Sequence, residues 1–495
     1  MLDLSDLPLS AFIAPDGSNR QAVASLLEQA LSLTLDYAAH AGELPPLPDA
    51  QPDLPATALP LQGLSEEQLL TALRHLIAAS LHPAHPGYIG HMDSLPTTMS
   101  LVGDLLSAAL NNNMLSFELS PLFSRLEWQT LRELAQLFGL GPRSGGLLLS
   151  GGSLANLEAL AIARNHMLGL SDGALSSLDA RPVLFASAAA HTSLQKAAML
   201  LGLGSQAVIS VPLDAGGHLD VQRLPTLIEQ AQARGERPFC VVATAGTTVA
   251  GLIDPLEAIA TVAHRYGLWF HVDAAYGGAL IFSEHLRQRL AGIEQADSLT
   301  FNPQKWLYVA KTCAMLLLRD TALFTRAFRI PVPYMREPQT DESDNSPPNL
   351  GEIGLQGTRH SDILKLWLSL QHLGRRGYAR LVEQTCQLAT LAYARLRSLP
   401  ALRFAHPPET NLLCFRAEPP WLPPAAHDEL NARLQAALLE QERIFLSLPL
   451  YQGKRWLRAV LLNPYTDEHL IERLATRLAR LLEQERQRHG AAPAP

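Results

Sequence analysis

The sequence predicts an α/β fold with a large, mostly parallel sheet, on three observations. The chain has 495 residues, beyond the roughly 250–300 at which single cores stop growing, so more than one domain is expected. Between about residues 100 and 320, short apolar runs alternate with helix-length segments. Those runs are apolar throughout, as strands covered on both faces are, and do not alternate with polar residues.

The elements follow in order. Residues 1–85 are expected to form an N-terminal helical arm. GSNRQAVASLLEQALSLTLDYAAH reads as an amphipathic helix, and ELPPLPDAQPDLPATALP is too rich in proline to be anything but an extended connector. LSEEQLLTALRHLIAASL opens with Ser65-Glu66-Glu67-Gln68, the pattern of a capping box, and runs on as a second helix. A large domain over 86–372 follows, with strands expected at GGLLLS, RPVLFAS, AVISVPL, FCVVATAG, LWFHVDAA, SLTFN and CAMLLLRD. Residues 330–352 carry prolines, acids and Ser/Asn without periodicity and read as a mobile loop. Residues 373–495 read as a small C-terminal α/β domain with strands LLCFRA and RWLRAVLL, a terminal helix from TDEHL onward, and a disordered AAPAP tail.

Composition narrows the function. The apolar fraction is 47% and the net charge −8, with no basic stripe, which argues against nucleic acid. Cys240, Cys313, Cys386 and Cys414 are scattered and form no CxxC, so neither a disulfide framework nor a zinc ribbon is expected. The N-terminus lacks a secretory pattern, and no apolar run reaches the ~20 residues that span a bilayer. A cytoplasmic protein without membrane partners is expected. His82, His85 and His91 lie among prolines without the i, i+4 spacing of a zinc helix, so no metal is expected.

Ligands of such sheets sit beyond the carboxyl ends of the strands, and four features lie there. Lys305 follows the run SLTFN in an apolar setting, where a lysine whose pKa is lowered becomes a nucleophilic amine. Asp273 ends LWFHVD and needs a partner for a buried carboxylate. SGGSLAN turns from a strand into a helix, and Gly152 and Ser153 offer backbone N–H groups to a phosphate. His191 follows a strand and can stack on a flat ring. Each alone has an ordinary structural explanation; their order along one α/β domain is what carries weight.

In that order, with TAGTT between the histidine and HVDAAY, and with NPQKW last, the chain resembles the group II pyridoxal-phosphate-dependent amino acid decarboxylases. That family includes the aromatic amino acid, glutamate, 2,4-diaminobutyrate and aspartate decarboxylases, and the resemblance runs from about His82 to Asn463. It implies fold type I, pyridoxal 5'-phosphate as cofactor, and a homodimer with the active site at the interface. It also implies roles. Gly152, Ser153 and Asn302 bind phosphate; His191 stacks on the pyridine ring; Thr248 lies near the ring, with Ala275 beneath it. Asp273 pairs with the pyridine nitrogen, and Lys305 binds the cofactor covalently. HPAHPGYIGHM resembles the substrate-pocket segment, giving Tyr88 and His91 as substrate contacts, and LGEIGLQGTRHSDILKLW gives Arg359.

One position departs from the pattern: Gln304 stands where the family most often has histidine, so no titrating proton relay is expected there. Tyr334 falls on the loop where the family carries a tyrosine that returns a proton to the substrate carbon. Family members with phenylalanine there tend toward oxidative aldehyde formation, so Tyr334 implies simple decarboxylation of an L-amino acid. The GHM segment resembles members acting on acidic or diamino acids. The competing readings are an aldehyde synthase or carbon–carbon lyase using the same cofactor, and a cofactor-binding protein without turnover.

Overall fold

The computed structural model describes residues 7–48, 53–55, 57–170, 174–330 and 347–490. Tyr334 and most of the 330–352 stretch lie outside the described residues, as does the AAPAP tail.

All seven expected strands of the large domain form, and they make one sheet. They are β1 (Gly145–Leu149), β2 (Pro182–Ser187), β3 (Val208–Val211), β4 (Arg237–Thr244), β5 (Trp269–Asp273), β6 (Ser298–Phe301) and β7 (Ala314–Leu318), in the order β1-β7-β6-β5-β4-β2-β3. The pairings β3/β2, β2/β4, β4/β5 and β5/β6 are parallel. β7 runs antiparallel to both β6 and β1. The 302–313 connection between β6 and β7 contains no helix, and without a crossover element a strand returns antiparallel. β1, β2, β5, β6 and β7 are buried along their whole length, which is why no alternation is visible in their sequences.

Helices precede, cover and follow this sheet. The N-terminal part holds α1 (Arg20–Ala39) and α2 (Glu66–Ala78), followed by α3 (Thr98–Leu110) and α4 (Pro121–Leu137). The capping box of α2 forms: the Ser65 side chain accepts from the Gln68 N–H, and the Gln68 side chain accepts from the Ser65 N–H. Next come α5 (Gly152–Leu168), α6 (Ser193–Leu200), α7 (Leu224–Ala233), α8 (Leu256–Arg265) and α9 (Ala322–Phe328). α5 packs on β4, β5, β6 and β7 and is buried nearly all round.

The long helix α10 (Ile363–Leu396) leads from the large sheet to the C-terminal elements and breaks helical geometry at Gly374. Beyond it β8 (Leu402–Phe404) and β9 (Leu412–Ala417) precede α11 (His427–Glu442). The short hairpin β10 (Leu450–Tyr451)/β11 (Lys454–Arg455), β12 (Leu457–Val460) and α12 (Glu468–Arg488) complete the chain. The antiparallel sheet β12-β9-β8 has its own apolar core, including Leu413, Phe415, Leu434, Leu457 and Leu474, which Ile89 from the N-terminal side joins.

Candidate active site

Strand ends and helix starts bring most of the expected residues together. Asp273 is the last residue of β5 and is buried. Its Oδ1 accepts from the Ala275 N–H at 3.2 Å, and its Oδ2 accepts from Asn156 Nδ2 at 2.9 Å. Lys305 sits one turn beyond β6, its N–H donating to the Asn302 carbonyl. Burial lowers the pKa of the lysine, opposed by the charges of Asp273 and Asp93 and reinforced by Arg458. Its ammonium has no hydrogen-bond or ion-pair partner among the described residues. An amine so placed is poised for covalent use.

At the start of α5, the N–H groups of Gly152 and Ser153 have no backbone acceptor, and Gly152 lies against Asn302. A Cβ at Gly152 would lie 2.8 Å from Asn302 Nδ2, so only glycine allows this approach. Asn302 is buried, yet its Oδ1 has no hydrogen-bond partner. Unpaired N–H groups suit a phosphate, and the Asn302 amide, whose Oδ1 has no donor to hold it, adds a donor once it is turned to present its NH₂. These residues therefore fit pyridoxal phosphate: an anion cradle, a buried acid and a half-buried amine converge on one end of the sheet.

His191 lies between β2 and α6. Partial burial lowers its pKa, against the pull of Asp273. Its Nδ1 meets Ser193 Oγ at 2.8 Å and accepts the Ser193 N–H at 3.2 Å. Gly246 of TAGTT has φ +93°, and a Cβ there would press on the Gly277 backbone. This turn leaves Thr247 buried and Thr248 exposed. Ala275 follows Asp273 at the same edge. Gln304 Oε1 accepts the Cys313 N–H at 2.6 Å, so the residue that replaces the expected histidine braces the turn leading to β7.

Three substrate-side expectations fare differently. His91 is exposed, with Arg458 and Asp93 acting on its charge. Tyr88 is 2% exposed and packs on Phe445, ring centroids 5.5 Å apart; it supports the wall from behind. Arg359 is a correction. Its Nη2 and Nη1 donate to Glu127 Oε1 and Oε2 at 2.8 and 3.2 Å, and both side chains are buried. The guanidinium fork expected to meet substrate is closed by a carboxylate.

The sequence reading missed Arg458. It lies on β12, where burial lowers its pKa. It donates to the carbonyls of Thr248 (2.6 Å) and Gly90 (2.9 Å), and its Nη2 lies 3.1 Å from His91 Nδ1. No carboxylate pairs with it among the described residues. Its charge, held by neutral acceptors and acting on Lys305, is therefore not cancelled by a neighbouring carboxylate. The available signal was an arginine centred in the apolar run RWLRAVLL. Asn156 was also missed; it is a polar residue inside the apolar helix α5.

The remaining polar clusters lie apart from this constellation. Asp104, His360 and Asp362 come close enough to share a cation, but the Lys365 ammonium sits 2.8 Å from Asp362 and 3.2 Å from Asp104 and already supplies the positive charge. A cavity of about 760 Å³ lined by residues of α4 and α10 contains none of the site residues.

Known proteins resemble the chain along most of its length. The profile of the pyridoxal-dependent decarboxylase conserved domain matches residues 48–418. Human cysteine sulfinic acid decarboxylase is 36% identical over 364 residues, covering 73% of each chain. The L-2,4-diaminobutyrate decarboxylase of Rhizobium meliloti (strain 1021) is 31% identical over 492 residues, covering 97% of this chain and 96% of the relative. The crystal structure of mouse CSAD superposes with a TM-score of 0.85 at 30% identity, over 93% of this chain and 99% of that one. With the amine, acid and phosphate cradle assembled at one sheet edge, these matches make the chain a member of the pyridoxal-dependent decarboxylase family.

Proposed function

We propose that this pyridoxal-phosphate-dependent amino acid decarboxylase acts on a small L-amino acid with a charged side chain, releasing carbon dioxide and the corresponding amine. The carrying observation is the half-buried, unpartnered Lys305 next to Asp273, within electrostatic reach of Arg458 and Asp93. Charged groups also flank His91: Asp93 forms an ion pair with Lys311 at 2.6 Å. Such a wall favours a charged substrate side chain over an indole or catechol. The names of the relatives, cysteine sulfinate and diaminobutyrate decarboxylases, point the same way.

When bound, pyridoxal phosphate supplies an electron sink for the pair left behind as the carboxylate departs. The chain's residues do the rest. Lys305 would contribute the amine that holds the cofactor. The Gly152 and Ser153 N–H groups and Asn302 would hold its phosphate. Asp273 would keep a proton on the ring nitrogen, and His191, Ala275 and Thr248 would pack about the ring. Arg458 orients a substrate anion, and His91 lines the entrance. Tyr334 is proposed as the donor of the proton to the substrate carbon, on the sequence resemblance alone.

We divide the chain into an arm to about residue 85, a large domain to about 372 and a small domain beyond, the second boundary falling beside the break at Gly374. A second copy is proposed to cover the arm. Leu27, Leu31 and Leu35 on α1, and Leu69, Leu73 and Leu76 on α2, are each at least 40% exposed, and monomers rarely expose such rows. All four cysteines are free and buried, which suits a reducing compartment such as the cytoplasm. No helix among the described residues is long and apolar enough to cross a membrane. The test is a mass-spectrometric amine screen across the common L-amino acids, with carbon dioxide, ammonia and peroxide followed together. Carbon dioxide and amine from an acidic or diamino acid are expected; ammonia and peroxide in step with carbon dioxide would instead indicate an aldehyde synthase.

A further inference from the structure

Behind Asp273 lies a chain of buried polar groups that contact neither the proposed cofactor nor the substrate. Trp269 Nε1 donates to Ser298 Oγ at 2.8 Å, and Ser298 Oγ lies 2.7 Å from His271 Nδ1. His271 Nε2 lies 3.1 Å from Asn156 Oδ1, which also accepts from Thr300 Oγ1 at 2.7 Å. The two amide hydrogens of Asn156 go to Asp273 Oδ2 and Ser193 Oγ, each at 2.9 Å. Ser193 then meets His191 Nδ1.

The hydrogen positions along this chain follow from chemistry. A carboxylate only accepts, so the Asn156 group facing Asp273 is the NH₂ and the group facing His271 is the carbonyl. His271 therefore carries its proton on Nε2. Burial pushes its pKa down to about 4, so the ring is neutral and Nδ1 accepts from Ser298, whose oxygen in turn accepts from the tryptophan. At the far end a backbone N–H only donates, so His191 Nδ1, which takes the Ser193 N–H, is a lone pair. The Ser193 hydroxyl, having accepted from Asn156, donates to the same nitrogen.

We propose that Asn156 is a positioning residue that joins Asp273 to His191 through Ser193, turning the Ser193 hydroxyl toward the same imidazole nitrogen that the Ser193 N–H keeps as a lone pair. His191 then presents a hydrogen-bond donor to whatever lies over it, and its base-competent nitrogen is closed by Ser193. Asp273 is held at a fixed angle by one of the same amide hydrogens, so ring-nitrogen partner and stacking imidazole are set together. This rests on the assignment of Asp273 and His191 to the cofactor.

The test uses the full chain, labelled with ¹⁵N-histidine and stripped of cofactor. Two-bond ¹⁵N–¹H correlations report the tautomer, with the His191 signals assigned by their loss in His191→Gln. Wild type is expected to show the Nε2–H pattern. Ser193→Ala is expected to keep the Nε2–H tautomer, since the N–H of residue 193 remains, but to move the His191 Nδ1 ¹⁵N signal downfield as that nitrogen loses its hydroxyl donor, while changing affinity for added pyridoxal phosphate less than about threefold, because Asp273 keeps its amide. Asn156→Ala and the isosteric Asn156→Asp are expected to move the same signal and weaken cofactor binding by about ten- to a hundredfold, the usual effect of losing a hydrogen bond to a charged group. A residue that merely fills space would let Asn156→Asp behave as wild type. An unmoved His191 Nδ1 signal in Ser193→Ala overturns the proposal, as does wild-type cofactor affinity in both Asn156 variants. If the Asn156 variants do not fold, Ser193→Ala decides alone. Lys305→Ala separates the two readings: if it keeps the covalent cofactor absorbance, the site assignment itself is wrong.

Discussion

Replacing Arg359 by methionine separates a structural arginine from a substrate-binding one. The Glu127 carboxylate is 0% exposed. One of its oxygens accepts the Leu148 N–H of β1 at 3.0 Å, and both face the Arg359 fork. Arg359→Met removes the countercharge and leaves the carboxylate in the core, a loss that typically costs about 3–5 kcal/mol. A chain of this length has an unfolding entropy near 1 kcal/mol/K, at roughly 2.1 cal/mol/K per residue, so Tm is expected to fall by about 3–5 °C. Glu127→Leu added to Arg359→Met removes both charges and is expected to restore most of that loss. Differential scanning calorimetry on both variants, with KM and kcat measured below the lower Tm, makes the comparison. A KM raised tenfold or more in Arg359→Met with unchanged Tm would refute the reasoning and return Arg359 to the substrate.

Lys305→Ala is expected to lose the visible absorbance of the covalently held cofactor and all turnover; spectra of purified protein check it. Tyr334→Phe is expected to divert product from amine toward aldehyde, with ammonia and peroxide formed from dissolved oxygen, read by coupled assays on one reaction. Arg458→Met is expected to raise KM for an acidic substrate by more than tenfold while leaving cofactor absorbance in place, which steady-state kinetics and spectra separate. Burial raises the Glu158 pKa from the ordinary 4.5 to about 7. The folded state therefore holds a proton that the unfolded chain releases above pH 4.5, and that share of stability, on the order of 3 kcal/mol at 1.36 kcal/mol per unit, is present below pH 4.5 and lost as pH rises to 7. Glu158→Gln is expected to match wild type near pH 4.5 and exceed it at pH 8 in urea titrations.

The strands were legible because each is a run of buried apolar residues with a turn at its end, and the capping box of α2 because its chemistry is local. Asp273, Lys305 and Gly152 were legible because strand ends collect ligands. Arg458 and Asn156 were not, since their meaning depends on what they touch. Arg458 reaches Gly90, 368 positions away in sequence, and Asn156 reaches Asp273 across 117. Nothing in RWLRAVLL says which carbonyls its arginine will meet. The Arg359–Glu127 pair was hidden for the same reason: the segment carries an arginine, but only the packing of α4 against β1 brings Glu127 to it.

The proposed site has an exposed edge, and the exposed leucines of the arm suggest what would cover it. His191, Thr248 and His91 are all exposed, although a site that breaks a carbon–carboxylate bond needs water kept from the reacting carbon. The arm carries its leucines at positions 27, 31 and 35, one row along a helix with no buried residue of its own. We propose that a second copy covering this row also brings a surface toward the open edge. Leu31→Glu with Leu35→Glu puts two charges into that contact and is expected to convert dimer to monomer in sedimentation velocity, with cofactor affinity and turnover falling together. A monomeric double variant with wild-type turnover would mean that one chain completes the site unaided.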